Sequence, residues 1–506
     1  MNPDVTIFTR KQIDIRIYAV AASLLVSLLT ILFPDTLNDD AYIYIRTAEI
    51  FLADGLTAAF QHYAWASYSV LIALISQLGF SLFTSAFILN AFFFALLVYS
   101  YISIIMYIDD SRRVLLLAAI CILLYPQINE YRYLIIRDVA FWSLALFALW
   151  QYLSYTTEHS LKHACAFSAA LIVAISFRLE AAIYLLVVPF TVLLDTRFAK
   201  RERQLLFLKL AGVVASSSIV TLLALTVTGL SFGGLLAEYI STYQPFLVDT
   251  FNPSSAQMTE LAGAVFGEYA AAYSKEYILL FLFAGLLPIL VANLFNAIGG
   301  PFFWILLWGF FKKTVRVQRH VLMPLLCFVT INTIILFAFL YLTRYLSSRY
   351  AQLLCLVVAL LVPLIVTRII DSIQARAWGS LGQRVVILFF GYLGFDSFVN
   401  FADPKDFISD SVAWIEIRSE ADSRLITNNR AIAYYTGKIE NYDETQRFLT
   451  EADILSSRQD DLIAIEMYVE MTQLVSSESL RGVLEFQTAF PSIKNQRVAI
   501  YRRTAH

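Results

Sequence analysis

Residues 34–55 read PDTLNDDAYIYIRTAEIFLADG, directly after an apolar run from about Ile15 to Phe33. The run is nearly long enough to cross a bilayer and has no small-residue cleavage site before Asp35, so it is expected to stay as a first transmembrane helix. After Asp40 the apolar Ile43, Ile45, Ile50, Phe51 and Leu52 alternate with Arg46, Glu49 and Asp54. That pattern suits a helix lying in the membrane interface, with Gly55 placed to end it. A spanning helix followed by an amphipathic one makes the chain an integral membrane protein and sets the pair Asp39 and Asp40 at the membrane face.

Composition extends this reading to the whole chain. Of 506 residues, 59% are hydrophobic and 15% charged, against roughly 45–50% and about 25% in a soluble protein. Residues 401–506 hold 29 of the 76 charges, and residues 1–400 hold the other 47. The expected fold is therefore mainly α: a polytopic helical membrane domain over 1–400 and a small extracytoplasmic α/β domain over 401–506. In that tail, helix-like DFISDSVAWIEIR and ETQRFLTEADIL alternate with strand-like RLITN, DLIAIEMY, LEFQTAF and QRVAIYRR, and a segment of this length can bury its own core. A net charge of −2 gives no sign of a nucleic-acid partner. Cys121, Cys165, Cys327 and Cys355 sit in apolar runs without metal or redox spacing. No zinc-protease, phosphate-loop or nucleophile-elbow motif is present.

Apolar segments at about 15–33, 84–108, 113–126, 139–155, 161–177, 180–194, 204–229, 276–310, 321–343, 350–367 and 383–400 predict about eleven spans. The stretch 276–310 is counted as one crossing, with a half-helix before the Gly299-Gly300-Pro301 break. Basic clusters at Arg10, Lys11 and Arg16, at Arg112 and Arg113, from Arg197 to Arg203, from Lys312 to Arg319, and at Arg368 and Arg376 all fall on one side. By the positive-inside rule that side is the cytoplasm, which puts the N-terminus inside the cytoplasmic (inner) membrane and the tail outside it. The outer loops, at about 34–83, 127–138 and 230–276, collect the carboxylates, including Asp35, Asp39, Asp40, Glu130 and Asp138. Nucleotide-activated substrates are absent there, so the membrane itself has to deliver the donor.

Several outer-face residues are candidates, each with a structural alternative. Asp39 and Asp40 either favour the dipole of a helix capped by Asn38, or supply a general base or help hold a divalent metal ion. Arg137 and Asp138 begin a span. They either anchor it at the interface or, with Arg132, face a polar cavity where the guanidiniums take a phosphate. Arg178 and Glu180 occupy a short turn that either merely connects two spans or points both charges at that cavity. Arg344, Arg349 and Tyr350 lie at another outer turn, where an arginine either anchors on lipid headgroups or binds phosphate oxygens in a bidentate manner.

This arrangement resembles the GT-C superfamily of polytopic glycosyltransferases, and most of all the protein O-mannosyltransferase and lipid A aminoarabinose transferase group. NDDAYIYI matches the family's acidic pair followed by a tyrosine and an interfacial helix, at Asp39, Asp40 and Tyr42. Asp138 matches an aspartate at the head of a span, Arg178-Leu179-Glu180 an Arg-x-Glu, and Arg349-Tyr350 a basic-tyrosine segment opening a late span. The segment at 62–80 departs from the family, since it lacks the Pro-Pro-Leu found in many members; residues 65–79 are read as an outer interfacial helix. The resemblance implies a polyprenyl-phosphate-linked sugar donor, a lipid, glycan or protein acceptor among the membrane lipids, Asp39 as first choice for the base, and inversion at the anomeric carbon. A polysaccharide polymerase or ligase using a polyprenyl-diphosphate glycan is the nearest alternative. A flippase or transporter for lipid-linked sugar is a further one, although no inverted repeat is seen.

Overall fold

The computed structural model describes residues 14–32, 37–251, 254–375, 379–399, 406–418 and 424–504. Arg10, Lys11, Asp35, Arg376 and the expected junction near residue 400 lie outside them. Among the described residues five helical stretches are long and apolar enough to cross a membrane: Ile15–Leu32, Leu82–Ile105, Lys200–Val227, Glu268–Ile298 and Arg319–Thr343. The number rises to seven if two bent pairs each count as one span. One pair is Arg112–Leu123 with Pro126–Tyr133, bent by 47°, and Pro126 opens its second limb with no N–H to donate. The chain is a multi-pass membrane protein.

Packing explains which helix sits where. Leu82–Ile105 is central, with Ile15–Leu32 and Asp138–Glu158 against it. The first helix turns a stripe of Ala19, Ser23, Ser27 and Thr30 inward, small side chains that let backbones approach closely where lipid offers no hydrophobic drive. Lys200–Val227 instead leaves Leu208, Val220, Leu223 and other large apolar side chains exposed, as a lipid-facing helix does.

The stretch 276–310 breaks at Gly299 as expected, but the limb before the break, Ile278–Ile298, is a long helix rather than a half-helix, and the shorter helix Gly300–Lys312 follows it. Gly299 has φ 79°, and an added Cβ there would meet the Gln127 side chain at 2.4 Å, so only glycine fits this corner. The apolar segment at 180–194 is a short helix, Ala181–Val187, that tightens at Pro189 into a 3₁₀ run, Val188–Leu194.

The tail folds as expected around a four-stranded sheet. Strands β1 (Leu425–Thr427), β2 (Leu462–Glu466), β3 (Leu484–Ser492) and β4 (Asn495–Arg503) lie in the order β1-β2-β4-β3, with β1 and β2 parallel and the other pairs antiparallel. Alternation along β2 splits its residues between two faces. Leu462 and Ala464 belong to the main hydrophobic core, while Ile463 and Ile465 belong to a second, smaller core with Ile454, Met471 and Leu480.

Candidate active site

Asn38 brings the loop before Asp39 and the loop before Asp138 together. It precedes the helix Asp39–Asp54, but its side chain makes no capping bond. Instead Nδ2 donates to the Ile135 carbonyl at 3.1 Å, and the Ile135 N–H donates back to Oδ1 at 2.9 Å. The helix Asp39–Asp54 therefore starts beside the helix Asp138–Glu158, and Asp39, Asp40 and Asp138 all occupy first turns, where the helix dipole favours negative charge.

Two arginines from distant parts of the chain answer two of these acids. Arg349, opening the helix Ser348–Ala359, donates from Nη1 to Asp40 Oδ2 at 2.5 Å. Arg178, in the turn between Leu161–Ile175 and Ala181–Val187, donates through Nη1 to Asp138 and through Nη2 to Glu180 Oε1 at 2.8 Å. The Tyr350 ring lies under both guanidiniums, 4.6 Å from Arg178 Cζ and 5.2 Å from Arg349 Cζ. Asp40, Arg349, Tyr350, Arg178, Asp138 and Glu180 thus form one connected cluster. Burial disfavours the Glu180 carboxylate, but Arg178, helped by Arg137, outweighs it and holds the carboxyl below the usual carboxylate range.

Beside the cluster a crevice of about 20 Å³ runs between Phe141, Tyr184, Ile335, Leu336 and Phe339, with Arg178, Glu180 and Tyr350 in its wall. That volume is about the room one water needs and is too small for a sugar ring. Asp39 stands apart. It is exposed, and among the described residues its carboxylate has no hydrogen-bond partner. Arg137 is stacked on Trp65, with Cζ 4.2 Å from the ring.

Other expected site residues lie elsewhere. Arg132 is buried inside the helical core, donating to Asn129 Oδ1 at 2.9 Å, Ser27 Oγ at 2.7 Å and Ser23 Oγ at 3.0 Å, over the Phe94 ring. It ties the loop before Asp138 to the first helix, Ile15–Leu32, and is not brought to the cluster. Arg344, at φ 59°, caps its own helix: Nη1 donates to the Tyr341 carbonyl and, at 3.1 Å, to that of Leu342. Tyr42 is buried against Phe83, Tyr434 and Tyr442, so it serves the seat of the tail. That seat is completed by bonds no local pattern announces. Tyr442 donates to Glu49 Oε2 at 2.9 Å, His62 Nε2 meets Asp443 Oδ2 at 2.8 Å, and Arg430 donates to the Asp39 carbonyl at 3.3 Å.

A divalent metal does not suit this arrangement. Among the described residues no group of three or more His, Cys, Asp or Glu is placed to hold one, and Asp40, Asp138 and Glu180 each face a guanidinium.

Fold and site together define a mainly helical membrane protein with a charged cluster where two loops and two later helix ends meet. The structure overlays ArnT from Cupriavidus metallidurans bound to undecaprenyl phosphate with a TM-score of 0.52 and 13% identity, covering 97% of this chain and 98% of that one. The apo state of the same protein matches equally, at 0.52 and 13%, over 96% and 97% of the two chains. The arabinofuranosyltransferase AftD from mycobacteria is also similar, at 0.45 and 15%, over 97% of this chain and 41% of that one. No family model matches the sequence, and no curated protein does.

Proposed function

We propose that the chain is a glycosyltransferase of the cytoplasmic membrane that moves a sugar from a polyprenyl-phosphate donor to a lipid, glycan or protein acceptor at the outer face. About eleven spans, an inside N-terminus and an outside tail complete this reading. The observation that carries it is the cluster itself: guanidiniums and carboxylates from four separate segments converge at the heads of helices, one residue along from Asp39, which is exposed and makes no ion pair among the described residues. Support comes from the fold it shares with a protein solved with undecaprenyl phosphate.

In this mechanism the acceptor oxygen or nitrogen attacks the anomeric carbon and loses its proton to Asp39. The bond from that carbon to the phosphate oxygen breaks on the opposite face, so the configuration inverts. The electron pair leaves on the lipid phosphate, and hydrogen bonds from Arg137, Arg178 and Arg349 strengthen as its charge grows. Asp40 orients Arg349, and Asp138 orients Arg178. Asp39 is preferred as base because Asp40 and Asp138 already answer cations; no step runs through a metal.

The test is transfer from a radiolabelled polyprenyl-phosphate sugar in sealed proteoliposomes. The reading expects covalent product and free polyprenyl phosphate, and a loss of roughly 10²- to 10⁴-fold in Asp39→Asn, the usual worth of a general base. Label that crosses the vesicle without covalent transfer points to a transporter, use of only diphosphate-linked oligosaccharides points to a polymerase, and wild-type turnover by Asp39→Asn removes the base assignment.

A further inference from the structure

An unbroken line of aromatic rings borders the charged cluster. Trp65 meets Tyr239 edge to face with centroids 5.4 Å apart, Tyr239 meets Tyr243 at 4.9 Å, Tyr243 meets Phe339 at 6.2 Å, and Phe339 meets Tyr350 at 5.0 Å. Guanidiniums sit at both ends: Arg178 and Arg349 over Tyr350, and Arg137 over Trp65 at 4.2 Å with Tyr63 at 5.8 Å. A guanidinium held by its face keeps its N–H donors free, because they all lie in its plane and point outward from the edge.

The two ends differ in what those edges meet. Arg349 is answered by Asp40, and Arg178 by Asp138 and Glu180. Arg137 makes no ion pair among the described residues, and its Nη1 is buried without a hydrogen-bond partner. A buried donor without an acceptor costs free energy, and it is recovered when an acceptor arrives. Arg137 precedes Asp138 directly, so its charge belongs to the same site; it also acts on Glu180 and Tyr243.

We propose that Arg137 is the landing point for the donor's phosphate and that Trp65 is its positioning residue, holding the guanidinium by its face so that the in-plane N–H edge stays open to phosphate oxygens. This rests on the glycosyltransferase reading for its biological sense, but phosphate capture is measurable without any transfer. The chemistry required of the ligand is a phosphate monoester or diester on a prenyl lipid. Arg178 and Arg349, already neutralised, hold the carboxylates in place and add their donors as the phosphate gains charge.

The experiment is equilibrium binding of polyprenyl phosphate, with the uncharged polyprenol as control, to the full-length protein in detergent micelles. Arg137→Ala is expected to weaken polyprenyl-phosphate binding roughly tenfold to a hundredfold, and Arg137→Lys to restore little, since lysine lacks the planar fork. Trp65→Leu is expected to weaken it roughly fivefold to thirtyfold, and Trp65→Phe, which keeps a face for stacking, less than about threefold. Polyprenol binding stays unchanged in all four. Melting temperatures identify any variant that has lost its fold, and Trp65→Phe then carries the comparison against wild type. Wild-type phosphate affinity in folded Trp65→Leu, or equal losses for polyprenol and polyprenyl phosphate, overturns the positioning role. Arg137-dependent capture by a protein that never transfers sugar would leave this inference standing and remove the glycosyltransferase reading instead.

Discussion

Replacing Arg178 by leucine removes the cation that faces both Asp138 and Glu180. The side chains of the three are 13%, 5% and 19% exposed, so little water is available to take over. Removing one partner of a buried pair costs roughly 3–5 kcal/mol, because it strands the other charge. Glu180 is the more accessible acid and can rehydrate in part, which places the expected loss nearer about 3 kcal/mol. The pH dependence should also reverse. In the wild-type chain Glu180 is held below its ordinary range, so its contribution is present above the ordinary carboxylate pKa and is lost as pH falls through the folded value. Without Arg178, burial becomes the dominant influence and pushes the carboxyl up, so stability instead falls as pH rises through that range. Thermal unfolding of the full-length protein in detergent, compared at about pH 5 and about pH 8, reads both effects. Arg178→Leu should melt well below wild type at the higher pH and recover part of the difference at the lower, and Glu180→Gln in the same background should recover part of it at either. Melting like wild type, with an unchanged pH slope, would refute the claim that Arg178 neutralises two buried acids.

The other arginines should behave differently, and in distinguishable ways. Arg349→Gln breaks a pair that is 28% and 35% exposed, so it should cost under about 1 kcal/mol in unfolding while reducing transfer in the proteoliposome assay by roughly 10²-fold. Arg132→Leu leaves Ser23, Ser27 and Asn129 without their donor, so it should lower stability by about 1–3 kcal/mol yet leave the KM for donor near wild type. Tyr442→Phe removes the hydrogen bond to Glu49. Faster amide exchange in the helix Arg430–Thr436 should report a docking loss of about 1 kcal/mol.

Much of the fold could be read from residue order because lipid imposes simple rules. Gly55 ends the interfacial helix at Asp54, and the strand-like stretches of the tail pair in one sheet. Span count was harder: the Gly299-Gly300-Pro301 break was legible, but length and hydropathy do not reveal that Pro126 bends a run or which limb at Gly299 is the longer helix. That Asp39, Asp40 and Asp138 begin helices was legible, because it is a local property. Their partners were not, because Asp40 meets Arg349 across more than 300 positions and no spacing encodes that. Arg132 and Arg137 look alike in NEYRYLIIRDV, but the 3₁₀ turn at Tyr131–Tyr133 directs the first inward to serines while the second reaches Trp65. Arg344 looked like Arg349 for the same reason, and only the left-handed backbone after Thr343 folds it onto its own helix. Asn38 is a good capping residue by type, yet tertiary contact with Ile135 takes its side chain.

The most direct test of the central claim is a structure of the full-length protein with polyprenyl phosphate bound. The account predicts phosphate density within hydrogen-bonding distance of Arg137 and of at least one of Arg178 and Arg349, with Asp39 open to an acceptor on the far side of the sugar position. Phosphate lodged at Arg344 or at the basic clusters near Arg113 and Arg197, with the Arg137 edge still empty, would contradict it.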